Sequence, residues 1–155
     1  VWALLNAETR QPVNLEHLPG GGFGDWVDGE KKCGVAPFSR IRVRETTPAR
    51  TIKVQYSDID INNHVNSIRY IEHMLDLFPE EMYATHEVKR IEVAYHEEAY
   101  ADETLNLYKQ PVGEDTFDIE IRKIAAPTAV EAMPVPAGRE QRVCASRVTF
   151  KQTES

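Results

Sequence analysis

The chain has 155 residues, 41% hydrophobic and 28% charged, with a formal charge of -7; this supports one packed core and excludes a disordered or fibrous chain, and the lack of any basic run sets it against a nucleic-acid surface. Only Cys33 and Cys144 are present, which excludes a disulfide framework or a zinc spacing and points to a reducing, cytoplasmic setting. No apolar run approaches the roughly 20 residues that a bilayer span requires, and Val1 to Leu5 lack the basic flank of a signal peptide, so neither membrane nor export is indicated.

In chain order, Val1 to Ala7 reads as a strand stopped by the polar Thr9-Arg10-Gln11-Pro12. From Pro19 to Pro37 the chain is rich in glycine and charge and reads as a linker. Ile41 and Val43 then alternate with Arg40, Arg42 and Arg44, and Ile52, Val54 and Tyr56 with Lys53 and Gln55, the period-two pattern of half-buried strands. The three arginines are either a solvated edge or a landing patch for an acidic partner. The period changes at Ile68, Ile71, Leu75 and Phe78, which together with Val65, Tyr70, Met74 and Leu77 predict a helix largely enclosed by other structure. Asn62, Asn63 and Asn66 offer caps at its start, and Pro79 ends it. Four strands follow, on Ile91/Val93/Tyr95, Leu105/Leu107, Phe117/Ile119/Ile121 and Val143 to Phe150, with a hairpin turn at Gly113-Glu114-Asp115 and a long loop from Ala125 to Gln141. A strand, an enclosed helix and four antiparallel strands make an α+β chain, an antiparallel sheet wrapped around one long central helix.

Polar side chains are densest where the first strands give way to the helix, from Tyr56 to Asn66. A helix start exposes unpaired N–H groups and the positive end of the dipole, which polarise a carbonyl oxygen held there. Asp60, Asn62 and His64 fall at alternate positions, so an extended chain carries a carboxylate, an amide and an imidazole on one face, the groups that orient, donate and accept protons in hydrolysis. The other reading is that these residues are helix caps and a structural histidine. Asp60 and His64 have no recognisable metal-ligand spacing, and His17, His73, His86 and His96 have no comparable company.

The run Val54-Gln55-Tyr56-Ser57-Asp58-Ile59-Asp60-Ile61-Asn62-Asn63-His64-Val65-Asn66, followed by Tyr70, resembles the signature of acyl-ACP thioesterases of the tandem hotdog type. A shorter Asp…His-Val-Asn…Tyr form is common to hotdog thioesterases. The resemblance implies a hotdog fold, hydrolysis of fatty acyl-ACP thioesters in fatty acid biosynthesis, and no cofactor or metal. It carries Asp60, Asn62 and His64 over as catalytic residues, joined by Glu98 from Tyr95-His96-Glu97-Glu98-Ala99, with Val65, Asn66 and Tyr70 as substrate-binding residues. Plant relatives have a cysteine after that glutamate; Ala99 removes a cysteine mechanism at this position. Residues 1–12 are similar to the last strand and exit of a first hotdog repeat, which makes 13–39 a linker and 40–152 a C-terminal hotdog domain.

The expected partner is acyl carrier protein bearing a fatty acyl thioester, with no nucleic acid and no membrane. Lacking its first repeat, the domain is expected to self-associate or to pair with that repeat. The rival functions are an acyl-CoA thioesterase, a 3-hydroxyacyl thioester dehydratase and an acyl-binding module without turnover.

Overall fold

The structure, a computed structural model, describes residues 6, 8–9, 11–14, 30–32, 34–124 and 140–153. Residues 38–155 form one compact unit and 1–37 another. In the smaller unit the Asn6 Oδ1 accepts the Glu8 and Thr9 N–H groups, and the Asn6 N–H donates to the Gln11 carbonyl, so the polar stop is a side-chain-closed turn. The rest of the strand expected over Val1 to Ala7, most of the linker and the loop from Ala125 lie outside the described residues.

The larger unit is built from β1 (Arg50–Lys53), α1 (Ser67–Leu75), α2 (Glu80–Thr85), β2 (His86–Tyr95), β3 (Thr104–Pro111), β4 (Thr116–Ile124) and β5 (Glu140–Gln152). The strands form one five-stranded sheet in the order β1-β3-β4-β5-β2, antiparallel at every pairing. This is the hotdog arrangement. β3 and β4 are joined by the expected hairpin, in which the Val112 N–H donates to the Thr116 carbonyl.

One sheet face carries Leu105, Leu107, Ile119, Ile121, Val143, Cys144, Val148 and Phe150, and against it pack Tyr70, Met74 and Phe78. These three recur at intervals of four, the stripe of a helix face. Met74 is 1% exposed; truncating it to alanine costs about 2–5 kcal/mol. Ile68, expected in the stripe, is 57% exposed, because it lies off the Tyr70–Met74 line.

The central helix is shorter than expected. It ends at Leu75 after nine residues, because Pro79 has no N–H to continue the ladder and its ring crowds the carbonyl four residues back. The Tyr83 hydroxyl donates to that same Leu75 carbonyl at 2.7 Å. Pro79 instead starts α2.

Residues 40–44 are not a strand. Ile41 and Val43 are buried as the period-two pattern requires, but the backbone is bonded by side chains from the outer sheet face. The Val43 N–H donates to Glu120 Oε1 at 3.0 Å, the Arg44 N–H to Gln110 Oε1 at 2.8 Å, and the Arg122 guanidinium to the Val43 carbonyl at 2.9 Å. Upstream, the Ser39 N–H and hydroxyl both donate to Glu92. Burial opposes the Glu92 charge, but these bonds and the Arg90 ion pair outweigh it and hold its pKa below the ordinary carboxylate value. The segment is therefore a strap across β2, β3 and β4. Glu120, buried between Arg122 and Arg142, is its main post.

Candidate active site

Tyr56 to Asp58 form a single 3-10 turn after β1, which throws Tyr56 out to 93% exposure instead of continuing the strand alternation. The Asp58 carboxylate accepts the Gln55 N–H at 2.8 Å and closes the turn. From there the chain runs out and back rather than on in an extended line. Ile59 bridges Val65, the Asp60 N–H donates to the His64 carbonyl at 3.0 Å, and the Asn63 N–H donates to the Asp60 carbonyl at 3.0 Å. Asn63 sits at φ 65°, the left-handed conformation that asparagine tolerates better than other side chains. Asp60 Oδ1 also accepts the Asn62 N–H at 2.8 Å.

The alternation expected to align Asp60, Asn62 and His64 on one face is thus replaced by a hairpin. Its register sets Asp60 against His64 and sends the Asn62 side chain to the exposed tip. Asn66 is the member of the asparagine group that caps α1, its Oδ1 accepting the Ile68 N–H at 2.9 Å.

Glu98 reaches the same place from the segment between β2 and β3. The buried Val65 N–H donates to the Ala99 carbonyl at 2.8 Å, and the Ala99 N–H donates to the buried Tyr70 hydroxyl at 3.2 Å. Burial pushes the Tyr70 hydroxyl pKa well above its ordinary value, against the opposing pull of the Ala99 N–H, so this anchor stays a phenol. The residue before Ala99 is thereby set beside the imidazole. His64 Nδ1 lies 3.7 Å from Asp60 Oδ1 and Nε2 lies 3.9 Å from Glu98 Oε1. Both separations exceed hydrogen-bond length. His64 and Asp60 are mostly covered, with 28% and 20% of their side chains exposed, whereas Glu98 is 48% open.

Three contacts have no clear signal in the sequence. His73 does have company, since its Nε2 lies 3.4 Å from Asp58 Oδ1, and His86 Nε2 lies 3.6 Å from Asp115 Oδ1. The Tyr100 hydroxyl donates to Glu98 Oε2 at 2.8 Å. A carboxylate in the signature and a histidine two turns into the following helix were the only signal for the first. Cys144 is fully buried, and burial pushes its thiol pKa well above the usual value, which leaves it inert core. Among the described residues no group of three or more His, Cys, Asp or Glu side chains is placed to hold a metal ion. Nor is any helix among them long and apolar enough to cross a membrane.

The family model for the acyl-ACP thioesterase C-terminal domain matches residues 42–133. The chain belongs to this family. It is 40% identical to an acyl-ACP thioesterase of Bacteroides thetaiotaomicron whose crystal structure matches 95% of this chain and 53% of that one, with a TM-score of 0.76. An oleoyl-acyl carrier protein thioesterase of Coriandrum sativum, a chloroplastic protein, is 38% identical over 74% of this chain and 34% of its own length. The 12:0-ACP thioesterase of Umbellularia californica shares the fold, at 15% identity and a TM-score of 0.67 over 96% of this chain and 53% of that one. The chain thus spans about half the length of these solved relatives and about a third of the curated one.

Proposed function

We propose that the protein hydrolyses fatty acyl-ACP thioesters to a free fatty acid and the carrier thiol, as a step of fatty acid biosynthesis in the cytoplasm. The observation that carries this reading is the His64 imidazole held between the Asp60 and Glu98 carboxylates, two residues before the cap of α1, in a chain of the acyl-ACP thioesterase family. In the proposed reaction the oxygen of water bonds to the thioester carbon while its proton passes to the His64–Glu98 pair. The C–S bond then breaks, and the thiolate takes up a proton. Because a thiol has a pKa of about 8.5, the leaving group needs little acid assistance, and activating the water is the harder task. Asp60 orients the imidazole. The role assigned to Asn62 is to steady the acyl oxygen or the water from the turn tip. Val65, Asn66 and Tyr70 belong to the substrate-binding surface in this reading.

Ile61, Tyr56 and Ile68 stand exposed on the turn and on α1. In the proposed working form the domain pairs with a second copy or with another hotdog repeat, and these side chains are candidates for that contact.

The test is thiol release from a series of acyl-ACP substrates by the wild type and by Asp60→Ala, His64→Ala and Glu98→Ala. A loss of about 100-fold or more is expected for His64→Ala and Glu98→Ala; wild-type rates in both would return these residues to a structural role. Enoyl product from 3-hydroxyacyl thioesters would instead identify a dehydratase. Label from oxygen-18 water recovered in Glu98 after a single turnover would identify it as a nucleophile.

A further inference from the structure

The backbone around Glu98 is tied down on every side. The His96 and Glu97 N–H groups donate to the Val143 carbonyl, Ala99 is bonded through both its N–H and its carbonyl, and Lys123 Nζ donates to the Glu98 carbonyl at 2.6 Å. These bonds fix the backbone, and a half-exposed glutamate on a fixed backbone still needs a group to select its rotamer. The Tyr100 hydroxyl does so, donating to Oε2 at 2.8 Å, while Oε1 is the oxygen 3.9 Å from His64 Nε2.

Tyr100 is itself fixed. Its N–H donates to Glu103 Oε2 at 2.9 Å, and the mostly buried Lys123 ammonium lies 5.3 Å from its ring centroid and 3.1 Å from both Glu103 carboxylate oxygens. The bond to Glu98 and partial burial raise the Tyr100 hydroxyl pKa above its ordinary value, so it remains a donor at neutral pH.

We propose that Tyr100 is a positioning residue that holds one oxygen of Glu98 so that the other faces the His64 imidazole. The proposal rests on the reading of Glu98 as part of the proton-accepting pair. Tyr100 does not touch the reacting atoms; it selects among orientations of a group that does. Tyr100 is 45% exposed, so removing the hydroxyl leaves the core intact.

The experiment is a double-mutant cycle on acyl-ACP hydrolysis with the wild type, Tyr100→Phe, Glu98→Ala and the double variant, together with their thermal unfolding. Tyr100→Phe is expected to lower kcat about tenfold, the effect of losing one hydrogen bond to a charged group, with KM within twofold and an unchanged unfolding midpoint. In the Glu98→Ala background the same change is expected to have no further effect, because there is no carboxylate left to orient. A fully active Tyr100→Phe beside an impaired Glu98→Ala overturns the proposal alone. So does a tenfold effect that persists in the Glu98→Ala background, or one that appears in KM. A fully active Glu98→Ala overturns the reading of Glu98, and the proposal with it.

Discussion

The domain holds two histidines against carboxylates within one short stretch, and the proposed function gives them different work. His73 stands on the second turn of α1 against Asp58, a buried carboxylate whose other oxygen already accepts the Gln55 N–H and whose carbonyl accepts the Asn66 N–H. That pair ties the helix to the turn before it. His64 instead rides on the hairpin and is flanked at 3.7 and 3.9 Å by carboxylates from two separate segments, one of them half open to solvent. The chemistry of the side chains is the same. What separates the two is setting: the Asp58 carboxylate is buried, whereas His64 lies between carboxylates of two segments, the Glu98 side chain 48% exposed.

The comparison is sharpened most by exchanging the two histidines for alanine. His64→Ala is expected to lose about 100-fold or more in kcat while its denaturation midpoint stays in place, and His73→Ala to keep its rate within about threefold. Equal losses of rate in both would break the distinction. Next in size is Asp58→Ala, which leaves the Gln55 N–H and the His73 ring without their acceptor. A loss of about 1–3 kcal/mol of stability is expected in urea unfolding, against less than about 1 kcal/mol for Asp60→Ala, whose surroundings are more open. The smallest effect belongs to the hairpin. Asn63→Ala places a Cβ residue at φ 65° without a side chain suited to it and is expected to cost about 1 kcal/mol, whereas Asn63→Gly should be neutral within a few tenths.

Much of this architecture was legible beforehand because the period-two alternation of Ile91 and Val93, Leu105 and Leu107, and Phe117, Ile119 and Ile121 falls within β2, β3 and β4, and the Gly113 turn carries its own chemistry. The strap was misread for an instructive reason. Alternation reports which side chains are buried, and Ile41 and Val43 are buried, but it does not report what the backbone bonds to, which here is Glu120, Gln110 and Arg122 from distant strands. The helix end was misplaced because the apolar stripe runs on through Leu77 and Phe78 after the α-helical ladder has given way to tighter turns, the Leu77 and Phe78 N–H groups donating to the Met74 and Leu75 carbonyls. In the site, the alternate spacing of Asp60, Asn62 and His64 was visible, but it does not reveal the hairpin, which brings Asp60 to His64 and leaves Asn62 at the exposed tip. Glu98 had no local signal at all. It arrives beside His64 through the Val65–Ala99 backbone bond, so only the family resemblance pointed to it.

The strap has a bearing on how the domain comes apart. The Val43 amide lies outside every strand, yet it is bonded to a carboxylate that is 2% exposed and clasped by two arginines. Freeing its proton means parting it from Glu120, and the Arg122 that clasps Glu120 also holds the Val43 carbonyl. In native-state hydrogen exchange this amide should therefore open with the slow protons of the sheet, placing the strap in the same cooperative unit as the strands it crosses.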